Sequence, residues 1–153
     1  MQFALRAATE KDYAWLWALK RLTMRPYVEQ TWGGWNEAAQ ESFFREHFVP
    51  ANMRVIVCEN RDVGLLHVEH EPGVVFLANI QILPDFQNRG LGTAVVSRVL
   101  ADARGRGMPV RLQVLKTNPD ARRLYERLGF QITDLSGSHW QMRTNPLPDQ
   151  RQS

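Results

Sequence analysis

Seven residues, Gln87-Asn88-Arg89-Gly90-Leu91-Gly92-Thr93, lie between an apolar run and the start of an apolar helical pattern. A helix N-terminus presents unpaired N–H groups with the positive end of the helix dipole behind them, and glycines let a bulky anion approach the main chain. The stretch therefore reads as a cradle for a phosphate or diphosphate. It is not a Walker loop, because no Gly-Lys-Ser/Thr follows, and it lacks the Gly-x-Gly-x-x-Gly dinucleotide turn. A second group is Asn118 to Phe130. There Asn118 can cap a helix opened by Pro119, and Ala121, Leu124, Tyr125 and Leu128 fall on one buried stripe. A tyrosine on such a stripe brings a hydroxyl that needs a partner or a task.

These residues need a scaffold, and the hydrophobic pattern supplies one. Phe3 to Arg6 alternates as a strand, and Thr9 with Asp12 looks like a helix cap with its acidic partner. Trp15, Leu16, Leu19 and Leu22 then form one stripe of a helix over about 10–25, with Trp17 on the other side. The next stretch, Tyr27 to Trp35, reads as a connection. Asn36 caps a second helix that turns Ala39, Phe43, Phe44 and Phe48 inward until Pro50. Met53–Glu59, Val63–Glu71 and Val74–Leu83 read as an antiparallel meander. A helix from Leu91, a strand Val110–Leu115, a helix Pro119–Leu128 and strands from Phe130 and Ser138 follow. That alternation implies parallel pairing in part of the sheet. The expected fold class is α/β: a single-domain, mixed, twisted sheet of about seven strands with about four helices on both faces.

Composition excludes other classes. A chain of 153 residues, 44% hydrophobic and 23% charged, can bury one core. Residues 1–143 are expected as that domain, with 144–153 as a polar, flexible tail. The longest apolar stretch falls short of the roughly 20 residues of a membrane span, no secretory signal is visible, and Cys58 is a single cysteine. A soluble, cytoplasmic protein is expected, away from membranes. The net charge of +3 permits an anionic ligand. The basic residues have no interleaved aromatic platform, so no nucleic-acid partner is expected. No spacing of His, Cys and carboxylates suggests a metal site.

Taken together, Gln-x-x-Gly-x-Gly after Ile80-Gln81-Ile82-Leu83-Pro84, and the Asn118, Ala121, Leu124-Tyr125 and Leu128-Gly129-Phe130 block, resemble the signatures of the GCN5-related N-acetyltransferases (GNAT). The resemblance is firm over residues 53–143. It implies acetyl-CoA as cofactor and direct transfer of its acetyl group to a primary amine on a small molecule, peptide or protein. By position, Ile80, Gln81 and Ile82 would meet the pantetheine and acetyl groups, the isoleucines through their main chain. Gln87, Asn88, Arg89, Gly90, Leu91, Gly92 and Thr93 would hold the pyrophosphate, and Asn118 would lie near the pantetheine arm. Tyr125 would protonate the departing thiolate. Members of the family often form homodimers, and the residues leave the oligomeric state open.

The sequence departs from the family at the general base. The two positions where members carry a glutamate hold Gln113 and Phe76. Glu29, in the aromatic connection before Trp32 and Trp35, and His67 and Glu69, on one face of a strand, are the remaining candidates. The aromatics with Glu29 would suit a cationic amine, and His139 and Trp140 could join them. The missing carboxylates also support an alternative, a CoA-binding sensor or interaction module without efficient catalysis.

Overall fold

The computed structural model describes residues 2–145, so the expected tail lies, from residue 146 on, outside the described residues. The elements in chain order are β1 (Ala4–Ala7), α1 (Tyr13–Trp32), α2 (Glu37–Glu46), β2 (Met53–Cys58), β3 (Arg61–Glu71), β4 (Val74–Ile82), α3 (Leu91–Gly105), β5 (Val110–Leu115), α4 (Pro119–Arg127), β6 (Gln131–Asp134) and β7 (His139–Arg143). The seven strands form one mixed sheet in the order β1-β2-β3-β4-β5-β7-β6. β4 and β5 run parallel, pairing Val75–Leu77 with Val110–Leu112, and α3 makes the crossover between them. The β1–β2, β2–β3, β5–β7 and β6–β7 pairs are antiparallel.

The chain divides into two compact units. The first comprises Met1–His67 and Asn79–Leu91. Its core gathers Leu16, Trp17 and Leu19 of α1, Phe44 of α2, and Met53, Val55 and Leu65 of the strands. Arg6 ties its N-terminal end together, reaching Asp12 at 2.8 Å and Asp62 at 2.9 Å. The cap read from Thr9 and Asp12 is present, with the Thr9 N–H donating to the Asp12 carboxylate at 2.9 Å. The second unit comprises Val68–Ala78 and Gly92–Ser153. It buries Val95, Val96 and Val99 of α3, Leu112 and Val114 of β5, Tyr125 of α4, Phe130, and Met142 of β7.

Three expectations for the first helices need correction. α1 does not end before Pro26 but continues to Trp32, where Gly33, at φ +84°, closes it. A proline inside a helix frees the carbonyl four residues before it, here that of Leu22. Leu22 is 55% exposed and Pro26 is exposed too, so water can satisfy that group. The buried stripe is accordingly Leu16, Trp17 and Leu19, with Trp17 inside and Leu22 outside. On α2, Phe44 is buried whereas Phe43 is exposed.

Candidate active site

The site begins where β4 ends. The Leu83 N–H donates to the Val63 carbonyl at 2.8 Å, and a single 3-10 turn, Pro84–Phe86, buries Phe86. The Gln87 side chain then donates back to the Ile82 carbonyl at 2.8 Å, pinning the loop to the strand it leaves. Beyond it the backbone reverses hand twice, with Asn88 at φ +58° and Gly90 at φ +85°. Only glycine adopts the second without strain, and a Cβ there would meet nothing within 4 Å, so open space lies before it. The loop runs directly into α3, whose first turn holds a buried Leu91, a half-buried Gly92 and an exposed Thr93. Exposed main chain, two left-handed residues and a 15-residue helix behind them fit a diphosphate.

Arg89 does not present a bare charge to this loop. Its guanidinium meets Glu59 at 2.5 Å and lies 4.8 Å from the centre of the Phe86 ring. Of the neighbouring β4 residues, Ile80 is half-buried, while Gln81 is buried and its side-chain oxygen finds no hydrogen-bond partner among the described residues.

In the second unit, Asn118 caps α4, its side-chain oxygen accepting the Ala121 N–H at 3.3 Å. That reading as a helix cap explains the residue without a ligand. Tyr125, two turns on, is buried edge-on against Phe130 with ring centres 5.5 Å apart. Burial alone pushes its phenol up to about 12. The group stays protonated throughout the physiological range and holds a proton to donate.

Gln113 and Phe76, the positions where a glutamate was looked for, are not acidic. Gln113 is exposed and opposite Gln141 on β7. Phe76 is stacked by Arg111, whose guanidinium lies 3.9 Å from the ring centre, and Glu71 grips the same guanidinium with two hydrogen bonds of 2.9 and 2.8 Å. The Arg111 hydrogen bonds hold Glu71 below the usual carboxylate range, so it is a poor proton acceptor. Of the expected candidates, Glu29 lies in the last turn of α1, not in a loop, and pairs with Arg25 at 3.1 Å. His67 is buried on β3 opposite Met53, and Glu69 is half-buried two residues on. His139 is half-buried, with its Nδ1 2.9 Å from the Ser138 hydroxyl, and burial lowers its pKa.

The family model described as the acetyltransferase (GNAT) family matches residues 14–130. The chain belongs to the GNAT family. Solved structures share its fold at low identity. A paia N-acetyltransferase from Thermoplasma acidophilum in complex with coenzyme A superposes with a TM-score of 0.76 at 17% identity, covering 95% of this chain and 99% of that one. The ribosomal-protein-S18-alanine N-acetyltransferase from Escherichia coli gives 0.67 at 19% identity over 94% and 93% of the two chains. Arabidopsis thaliana Naa50, in complex with the bisubstrate analogue CoA-Ac-MVNAL, gives 0.68 at 17% over 95% and 99%.

In this GNAT chain the aromatic residues of α1 and α2 are engaged by the protein's own cations. Arg21 lies 5.8 Å from the Trp17 ring, Arg25 5.8 Å from Trp35, and Lys20 4.8 Å from Phe43. Glu37 accepts from the Trp35 indole at 2.7 Å and from Arg21 at 2.5 Å. Two groupings escaped the sequence reading, Glu59 with Arg89 and Glu71 with Arg111. Pairs separated by 30 and 40 residues leave no periodic signal.

Proposed function

We propose that this GNAT protein is an N-acetyltransferase, with residues 1–143 as its catalytic domain, moving the acetyl group of acetyl-CoA directly to a primary amine of a small molecule, peptide or protein. The observation that carries the reading is the loop of residues 87–90, with Asn88 and Gly90 in left-handed conformation, opening into α3 at the end of β4. Bound acetyl-CoA supplies a thioester carbonyl open to attack by a neutral amine. Main-chain N–H groups from Asn88 to Thr93 would hold the pyrophosphate and the main chain of Ile80 and Ile82 would align the pantetheine and acetyl groups, while Gln87 fixes the loop to the strand end. Tyr125 would serve as general acid, giving its phenol proton to the thiolate that leaves as the amide forms. Its raised pKa makes it a donor that is never pre-ionised at neutral pH. The amine's proton would pass to one of the candidate bases Glu29, His67 and Glu69. The buried Cys58 agrees with a reducing, cytoplasmic setting.

A second reading, a CoA-binding sensor, is favoured by Gln113 and the Arg111-stacked Phe76 at the family's base positions. Release of free thiol from acetyl-CoA against a panel of amines and peptides, with coenzyme A binding measured in parallel by calorimetry, separates the two. Turnover with any acceptor supports the enzyme. Binding without turnover across the panel supports the sensor, and absence of binding overturns both.

A further inference from the structure

The β2–β3 hairpin turns on two residues, Glu59 and Asn60, with Cys58 directly opposite Arg61. Both have positive φ, +55° and +60°, which is the hairpin turn that favours Asn-Gly or Gly at its centre. Asn60 suits it. Glu59 does not, because a long side chain with a Cβ is strained in the left-handed region and gains no local hydrogen bond there. Its side chain must therefore serve something other than the turn. It reaches Arg89, 30 residues along the chain, at 2.5 Å. Around that pair, the buried Phe86 ring receives two guanidiniums, Arg89 at 4.8 Å and Arg61 at 5.2 Å from its centre.

Both members of the ion pair are half exposed, 42% for Arg89 and 56% for Glu59, so the pair adds little to global stability. It also sets a carboxylate beside a loop expected to receive a multiply charged anion, which would be a liability if Arg89 met the phosphate as a lone cation. The arrangement makes sense if the pair fixes backbone. With its guanidinium clamped between Glu59 and the Phe86 face, Arg89 is held on both sides by residues in left-handed conformation, Asn88 and Gly90. The N–H groups of that stretch are then preset, and binding does not have to order them.

We propose that Glu59 is a positioning residue for coenzyme A, acting through Arg89 to hold the 87–90 loop in its binding conformation. The inference rests on the cofactor reading above and adds to it a residue from outside both family motifs. Glu59 touches no reacting atom, and its effect falls on cofactor affinity and on KM for acetyl-CoA more than on kcat.

Glu59→Asn is the informative variant, because it removes the carboxylate while supplying a residue type the turn prefers. The expected result is an unchanged or higher thermal midpoint together with a rise of about tenfold in the calorimetric Kd for coenzyme A. A residue that served only the hairpin would give the first effect without the second. Arg89→Gln should weaken binding to a similar degree, and the Glu59→Asn/Arg89→Gln double variant should bind no worse than the weaker single. Binding by Glu59→Asn as tight as or tighter than that of the unsubstituted chain overturns the proposal, as does additivity in the double variant. If the unsubstituted chain itself fails to bind coenzyme A, the cofactor reading falls with it, and that outcome is distinct from the others.

Discussion

Tyr125 and Gly90 carry opposite kinds of constraint, one chemical and one steric. Tyr125 is held among apolar neighbours with its phenol at about 12, so Tyr125→Phe removes only a proton and an oxygen from a packed site. The expected outcome is a fall in kcat of about 10²-fold or more with little change in coenzyme A affinity, read by steady-state thiol release and calorimetry. An undiminished kcat would remove it as the acid. Gly90 has room around it but a backbone only glycine tolerates. Gly90→Val forces a branched residue to φ +85° and should abolish coenzyme A binding while circular dichroism still shows a folded chain. Unchanged affinity would refute the cradle. The left-handed turn at Gly90 and the burial of Tyr125 were legible in the sequence because each belongs to a short, local pattern, a glycine pair before a helix and an aromatic on a helical stripe. Glu59 was not, since its partner is fixed by the sheet, and Glu29 was misplaced because the helix expected over about 10–25 continues to Trp32.

At the scale of elements, the meander and the crossover were read within a residue or two. Alternating apolar strands bounded by short turns and the capped α4 admit few alternatives. The α1–α2 region was read less well, because aromatics occur on both sides of α1 and period alone does not say which side is covered. Trp17 is buried by stacking on Trp35, with ring centres 6.1 Å apart, and by Phe44 at 5.7 Å. One strand contact sets a limit that pattern could not reveal. A Cβ on Gly64 of β3 would stand 2.5 Å from the Gln81 carbonyl oxygen of β4 and 3.0 Å from the Ile56 side chain of β2. Backbone cannot swing aside as a side chain can, so Gly64→Ala must displace β4 next to Ile80 and Ile82. A loss of about 1–3 kcal/mol in denaturant unfolding is expected, with a raised KM for acetyl-CoA. A variant with the stability and KM of the parent would show that the strand end yields freely.

For the molecule as a whole, stability should fall away at both ends of the pH scale. The hydrogen bonds of Arg6 hold Asp12 at about 2, well below its ordinary value, so the folded state favours the carboxylate. That contribution is present above about pH 4 and is lost as pH falls toward 2. His139, lowered by burial, adds an earlier acid-side loss as pH drops below its ordinary value near 6.5. Tyr125 works in the other direction. Its folded value lies above the ordinary 10.0, so its contribution is intact below pH 10 and disappears as pH rises toward 12. Urea midpoints measured from pH 2 to 11 should trace a plateau bounded by two acid steps and one alkaline step. Asp12→Asn should flatten the lowest acid step and Tyr125→Phe the alkaline one, and persistence of either step in its variant would assign it elsewhere.

The two units are interleaved along the chain, because residues 68–78 of the second are synthesised before residues 79–91, which complete the first. On a ribosome, β1, β2 and most of β3 emerge early yet cannot finish their unit until the far half of β4 and the loop to Leu91 have followed. The last piece delivered to that unit is the segment that carries Gln87 to Gly90. Vectorial synthesis thus makes acquisition of the loop proposed to hold coenzyme A the closing event of the first unit's assembly, and a translational pause before residue 91 would leave that unit open.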